Sequence, residues 1–285
     1  MGTSQSSKGS PSGVPMVPSW VPDTLLDSAS EKEESPVIKP NDGESQDTPA
    51  QSESRQPPPI APAGRFRTAR ILLGRYAHNG GRDSMRRGLA SYIRRGYGGN
   101  ANATRRFGGT VRTAHTMYSA LSGGSSNPFA APGQPLDPLL MMGRSAEEIM
   151  DVIVEVVRPV DGTQDTEASR ASIKEALSEV LTAFPEADLM KLEEDQRELA
   201  IECFIAADIF HRIELDLGKT IQEKAPDAST ALGRLKEICD YITETVAASF
   251  RKLRTAGQRM ASDNIAKTVQ AVIRETLIIF EEYTQ

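Results

Sequence analysis

From about Ser145 onward, apolar side chains recur every three or four residues, and this period commits the chain to helices packed on helices. Leu199, Cys203, Ala206, Phe210, Ile213 and Leu217 keep the spacing, as do Ile265, Val269, Val272, Thr276 and Ile279. Starts and stops are legible too. Ser145-Ala146-Glu147-Glu148 is a capping box, in which a hydroxyl serves the amide three residues on and a carboxylate reaches back, and Pro159 ends the helix it begins. Further helices are predicted from about Thr166 to Phe184, from Glu194 to Lys224, from Pro226-Asp227 to about Arg254, and from Ser262-Asp263 on. The expectation is an all-α chain whose residues 144–285 form an antiparallel helical bundle.

Charge divides the rest. Residues 1–64 carry four basic against nine acidic side chains, 65–143 hold twelve Arg, no Lys and only Asp83 and Asp137, and 144–285 are strongly acidic. Residues 65–122 read as a small basic module of three helices, Phe66–Ala77, Ser84–Arg95 and about Ala103–Leu121, cut by Asn79-Gly80-Gly81 and by Gly96-Tyr97-Gly98-Gly99-Asn100. Ile71, Leu72, Tyr76, Leu89, Tyr92 and Ile93 at helical spacing distinguish it from an unfolded Arg-Gly tract. Residues 123–143, rich in Gly, Ser and Pro, read as a linker. The stretch 1–64, with Gln56-Pro57-Pro58-Pro59, has too few apolar groups to offset the entropy lost on folding and is predicted to be disordered.

Catalytic chemistry finds no support in the residues. No Gly-x-x-x-x-Gly-Lys-Ser/Thr, His-Glu-x-x-His or Gly-x-Ser-x-Gly segment occurs, and His78, His115 and His211 stand at no metal-ligand spacing. Cys203 and Cys239, the only cysteines, read as small buried thiols in a reducing cytosol rather than as a disulfide or a metal site. No run approaches the roughly 20 apolar residues that span a bilayer. The expectation is therefore a non-enzymatic, cofactor-free, cytoplasmic chain that does not engage a membrane.

Two regions suggest binding. In the basic module, glycine-exposed amides at a helix start beside Arg94, Arg95, Arg105 and Arg106, with Arg70, Arg75, Arg86 and Arg87 nearby, make a candidate anion or nucleic-acid site, because guanidinium forks suit phosphate and carboxylate. Nucleic-acid phosphate, a nucleotide, a partner's acidic face and the chain's own acidic bundle all fit. Tyr76, Tyr92, Tyr97 and Phe107 serve either as base platforms or as core. The other region is the tail's apolar island, Gly13-Val14-Pro15-Met16-Val17-Pro18-Ser19-Trp20-Val21-Pro22, which holds the only tryptophan. Either a partner receives Trp20 or it tucks onto this chain's own core.

Met1-Gly2-Thr3-Ser4-Gln5-Ser6-Ser7 followed by that island resembles the start of the QatB family, a component of the Qat bacterial anti-phage defence system. Arg65-Phe66-x-x-Ala69-Arg70 through Gly74-Arg75-Tyr76, and Tyr92-Ile93-Arg94-Arg95-Gly96-Tyr97-Gly98-Gly99 through Arg105-Arg106-Phe107-Gly108, are also similar to that family. The resemblance implies an ATPase, a TatD-like nuclease and a QueC-like protein as partners. It further implies that the QueC-like protein couples a deazaguanine carboxylate to the α-amine of Gly2. On the residues themselves, Thr3, Ser4, Pro15, Pro18, Trp20 and Val21 are the candidate partner-docking positions of the tail. The residues suit this chemistry, since glycine permits removal of Met1 and an α-amine titrates near ~8 rather than the ~10.4 of lysine. Two alternatives remain. Met-Gly-x-x-x-Ser also fits N-myristoylation of a scaffold protein, and the module 65–122 fits a nucleic-acid-binding adaptor for a partner nuclease or ATPase. A salt-dependent duplex affinity lost on Arg94→Ala with Arg95→Ala is the mark of the adaptor.

Overall fold

The structure, a computed structural model, describes residues 64–122, 143–257, 260 and 264–283, and among these every regular element is helical. The predicted tail, the island around Trp20, residues 123–142 of the linker and the Ser262-Asp263 start lie outside the described residues.

The basic stretch forms α1 (Arg67–Asn79), α2 (Arg82–Ser91), α3 (Asn100–Arg106) and α4 (Gly108–Ala120). Gly80, at φ 73°, closes α1 by donating its amide to the Tyr76 carbonyl. The expected third helix is two, because the backbone turns at Phe107 and Gly108-Gly109 follow, residues of low helix propensity. A π turn, Tyr92–Gly96, extends α2. Its Gly96 leaves room for a neighbouring ring: a Cβ there would lie 2.5 Å from the Phe66 ring.

The acidic stretch forms α5 (Ala146–Val157), α6 (Gln164–Ala183), α7 (Glu194–Ile213), α8 (Lys219–Lys224), α9 (Ala228–Thr255) and α10 (Ile265–Glu282). The capping box at Ser145 is formed in both directions. Thr163 and Asp227 cap α6 and α9 by accepting from the amides of Thr166 and Thr230. The long helix expected from Glu194 to Lys224 is interrupted by a second π turn, Glu214–Gly218.

Packing follows the apolar stripes. Leu217, Val269, Val272 and Thr276 are fully buried, as are Tyr76, Tyr92 and Phe107, while Tyr97 is nearly so; the four aromatics are core and no base can stack on them. One buried apolar cluster runs from Phe66 to Phe280, through α1 to α4 as well as α5 to α10. α10 lies against α2, α3 and α4 on one side and α9 on another, and α1 packs on α8. Each fully buried large side chain in that cluster contributes about 1.5–3 kcal/mol. Ile71 is an exception to its spacing, 47% exposed on the outer side of α1.

Candidate functional site

The helix start at Gly98-Gly99-Asn100 is built as the sequence suggests, with Gly99 at φ 103° and cations beside it. It already has an anion. The Asn100 amide and side-chain Nδ2 donate to Glu281 Oε2 at 3.2 and 2.7 Å, and Arg94 Nε lies 3.9 Å from Glu281 Oε1. Arg106 Nη2 meets Asp165 Oδ2 at 2.8 Å, and Arg70 Nη2 donates to the Asp216 carbonyl at 3.4 Å. Arg86 lies over the rings of Tyr241 and Tyr283. Arg87 donates to the Asp83 carbonyl one turn back and Arg95 to the Thr68 hydroxyl on α1, and their side chains are exposed. Arg105 is part-buried, and Arg75 is exposed on α1. Thus Arg94 and Arg106 engage acids of the chain's own C-terminal half, whereas Arg75, Arg87 and Arg95 present charge outward.

Beneath this face lies a polar network that sequence reasoning missed. Arg212, on the face of α7 turned to α4, donates from Nε to Asp208 Oδ2 at 3.1 Å and from Nη1 to Asp165 Oδ2 at 3.3 Å. Thr110 Oγ1 donates to the same Asp208 oxygen at 2.5 Å, and the guanidinium sits over the Phe107 ring. Burial pushes the Asp165 carboxyl up, but the Arg212 and Arg106 cations outweigh it and hold it below the usual carboxylate range. The signal was available: Asp208 and Arg212, one turn apart, both lie among apolar positions of a buried helix.

α1 and the run from Leu215 to Lys224 flank an open groove of about 920 Å³, whose lining includes Arg70 and Arg75 of the candidate anion-binding set. Asp216, which lines it, ties the second π turn to the first. The Tyr92 and Tyr97 hydroxyls donate to Asp216 Oδ2 at 2.8 and 3.2 Å, and lie 3.1 Å from each other. π turns of this kind recur at functional sites. Burial pushes the Asp216 carboxyl above its ordinary range, more than the two hydroxyls and the Arg65 and Arg106 cations lower it. Such a group holds its proton more tightly in the folded chain, so its contribution to stability falls as pH rises from about 3.9 through the raised value. Asp216→Asn lacks that loss. Its stability relative to the parent, read from urea midpoints, is expected to be greater near pH ~7 than near pH ~4, and an equal difference at both would contradict the assignment.

Cys203 and Cys239 are free and part-buried rather than fully buried, and burial pushes the Cys203 thiol up to about 12. His211 Nδ1 lies 2.8 Å from the Ser172 hydroxyl, a structural contact between α6 and α7. Among the described residues no helix is long and apolar enough to cross a membrane. Gly2, Thr3, Ser4, Pro15, Pro18, Trp20 and Val21 lie outside the described residues.

Comparison with known proteins gives one family. Neither the curated proteins nor the solved structures searched include a match. The family described as Qat anti-phage system associated protein QatB matches residues 98–280, well over half of the chain. That span takes in α3 to α9 and most of α10, including Arg105-Arg106-Phe107-Gly108 and the carboxylates Asp165, Asp208 and Asp216, while Glu281 falls just beyond it. The chain belongs to the QatB family and is a component of the Qat anti-phage system.

Proposed function

We propose that the chain serves this system as an acceptor rather than a catalyst, with the α-amine of Gly2 receiving a deazaguanine from a QueC-like partner in the cytoplasm. The observation that carries this reading is Met1-Gly2-Thr3-Ser4, resembling the family's start, on a chain whose helical body belongs to that family. Once Met1 is removed, the Gly2 amine is unhindered and has a larger uncharged fraction at neutral pH than a lysine. The amine attacks the ATP-activated carboxyl carbon of the deazaguanine. A C–N bond forms, the activating group leaves with the electrons of the broken C–O bond, and the nitrogen sheds a proton. An ATPase and a TatD-like nuclease are the further partners this reading assigns to the chain.

Expression with and without the QueC-like protein tests this. Intact-mass analysis is expected to show a partner-dependent gain, lost in Gly2→Pro, whose ring nitrogen is hindered. No gain with the partner present, or a gain that survives Gly2→Pro, would overturn the reading.

A further inference from the structure

The groove between α1 and α8 is unlike the rest of the surface. Among the described residues, few large apolar side chains stand exposed, and two of them, Ile71 at 47% and Leu215 at 37%, line this groove. Exposed cations surround them: Arg67 and Arg75 on α1, and Lys219 and Lys224 along α8. Glu223 balances Lys219 at 3.8 Å, which leaves the wall predominantly basic. An apolar strip rimmed by cations suits a short peptide that alternates apolar and acidic side chains.

This chain contains such a peptide. Trp20-Val21-Pro22-Asp23-Thr24-Leu25-Leu26-Asp27 carries four large apolar side chains and two carboxylates, and no basic residue lies between Lys8 and Lys32. Gly64 itself lines the groove, so the chain that bears the segment joins the body at the groove's own edge. The connection from Ser28 to Ala63 is 36 residues long. A random coil of that length has a root-mean-square span of about 30–36 Å, enough to return to its starting point. Linkage at that length corresponds to an effective concentration of order millimolar, so a partner present at micromolar concentration would have to bind roughly a thousandfold more tightly to compete.

We propose that the groove between α1 and α8 is the docking site of the chain's own segment Trp20–Asp27. The segment's apolar side chains cover Ile71 and Leu215, and Asp23 and Asp27 meet Arg67, Arg75 and Lys224. The docking anchors the stretch that begins with Gly2 to the body, and it stands apart from any chemistry at the Gly2 amine.

Trp20 is the only tryptophan, so fluorescence excited at the red edge, where the tyrosines do not absorb, reports this segment alone. In the folded protein the emission is expected to lie to the blue of its position in urea, with acrylamide quenching reduced several-fold and neither quantity changing on dilution. Ile71→Asp with Leu215→Asp is expected to return both towards the unfolded values while far-UV circular dichroism stays unchanged. Because a double carboxylate can perturb folding, Arg67→Glu with Arg75→Glu, at exposed positions, provides a second arm. It is expected to release Trp20, and adding Asp23→Arg with Asp27→Arg to recapture it. Water-exposed emission in the parent would overturn the proposal. So would shielding that ignores the groove variants, or shielding lost on dilution, which would point to a second copy as the occupant.

Discussion

Arg212→Ala is expected to lower the free energy of unfolding by about 3–5 kcal/mol, measured by urea denaturation. The side chain is buried on α7 and joins Asp208, 1% exposed, to Asp165. Truncation leaves the Asp208 carboxylate in the core with the Thr110 hydroxyl as its remaining bonded partner. An uncompensated buried charge costs more than the lost contact itself. Removing Asp208 as well relieves that penalty. Arg212→Ala with Asp208→Ala is therefore expected to cost clearly less than the sum of the two single variants. Strict additivity would mean that the network contributes nothing as a unit.

Phe66→Ala carries a penalty of similar size, about 3–5 kcal/mol, because a large ring leaves a site that cannot collapse. The Phe66 ring stacks on Tyr92 at 5.0 Å between centroids and meets the edge of Tyr97 at 5.6 Å, with the bare face of Gly96 against it. These aromatics reach Asp216 on the second π turn, so the damage crosses from the basic stretch into the acidic one. Far-UV circular dichroism, dominated by α6, α7 and α9, is expected to shift as a single cooperative transition. Two transitions, with the later one unmoved by Phe66→Ala, would mean that the halves unfold independently despite their shared cluster.

Much of the fold was legible because its signals are local. The stripe that begins at Leu199, the capping box at Ser145 and the Asp227 start depend only on neighbours along the chain; the latter two gave the helices expected of them, and the first gave its helix as far as Ile213, where the second π turn interrupts it. The two π turns were not legible. They answer to tertiary demands, the fit of Gly96 under Phe66 and the meeting of Tyr92 with Asp216, that no short window of sequence contains. The arginines divide in the same way. Their abundance and the glycine-rich helix start could be read directly, but the choice of Glu281 and Asp165 as partners is set by how α10 and α6 pack. The groove was hidden for a similar reason: Ile71 keeps core spacing along α1, yet the neighbouring helices leave that side uncovered.

The account turns on where the deazaguanine is attached, and peptide-level mass spectrometry of chain produced with the QueC-like partner tests that most directly. The predicted result is a single partner-dependent mass gain on the N-terminal peptide, with fragment ions placing it on the Gly2 nitrogen and leaving Lys8 unmodified. A gain confined to a lysine side chain, or an unmodified Gly2 in the presence of an active partner, would contradict it.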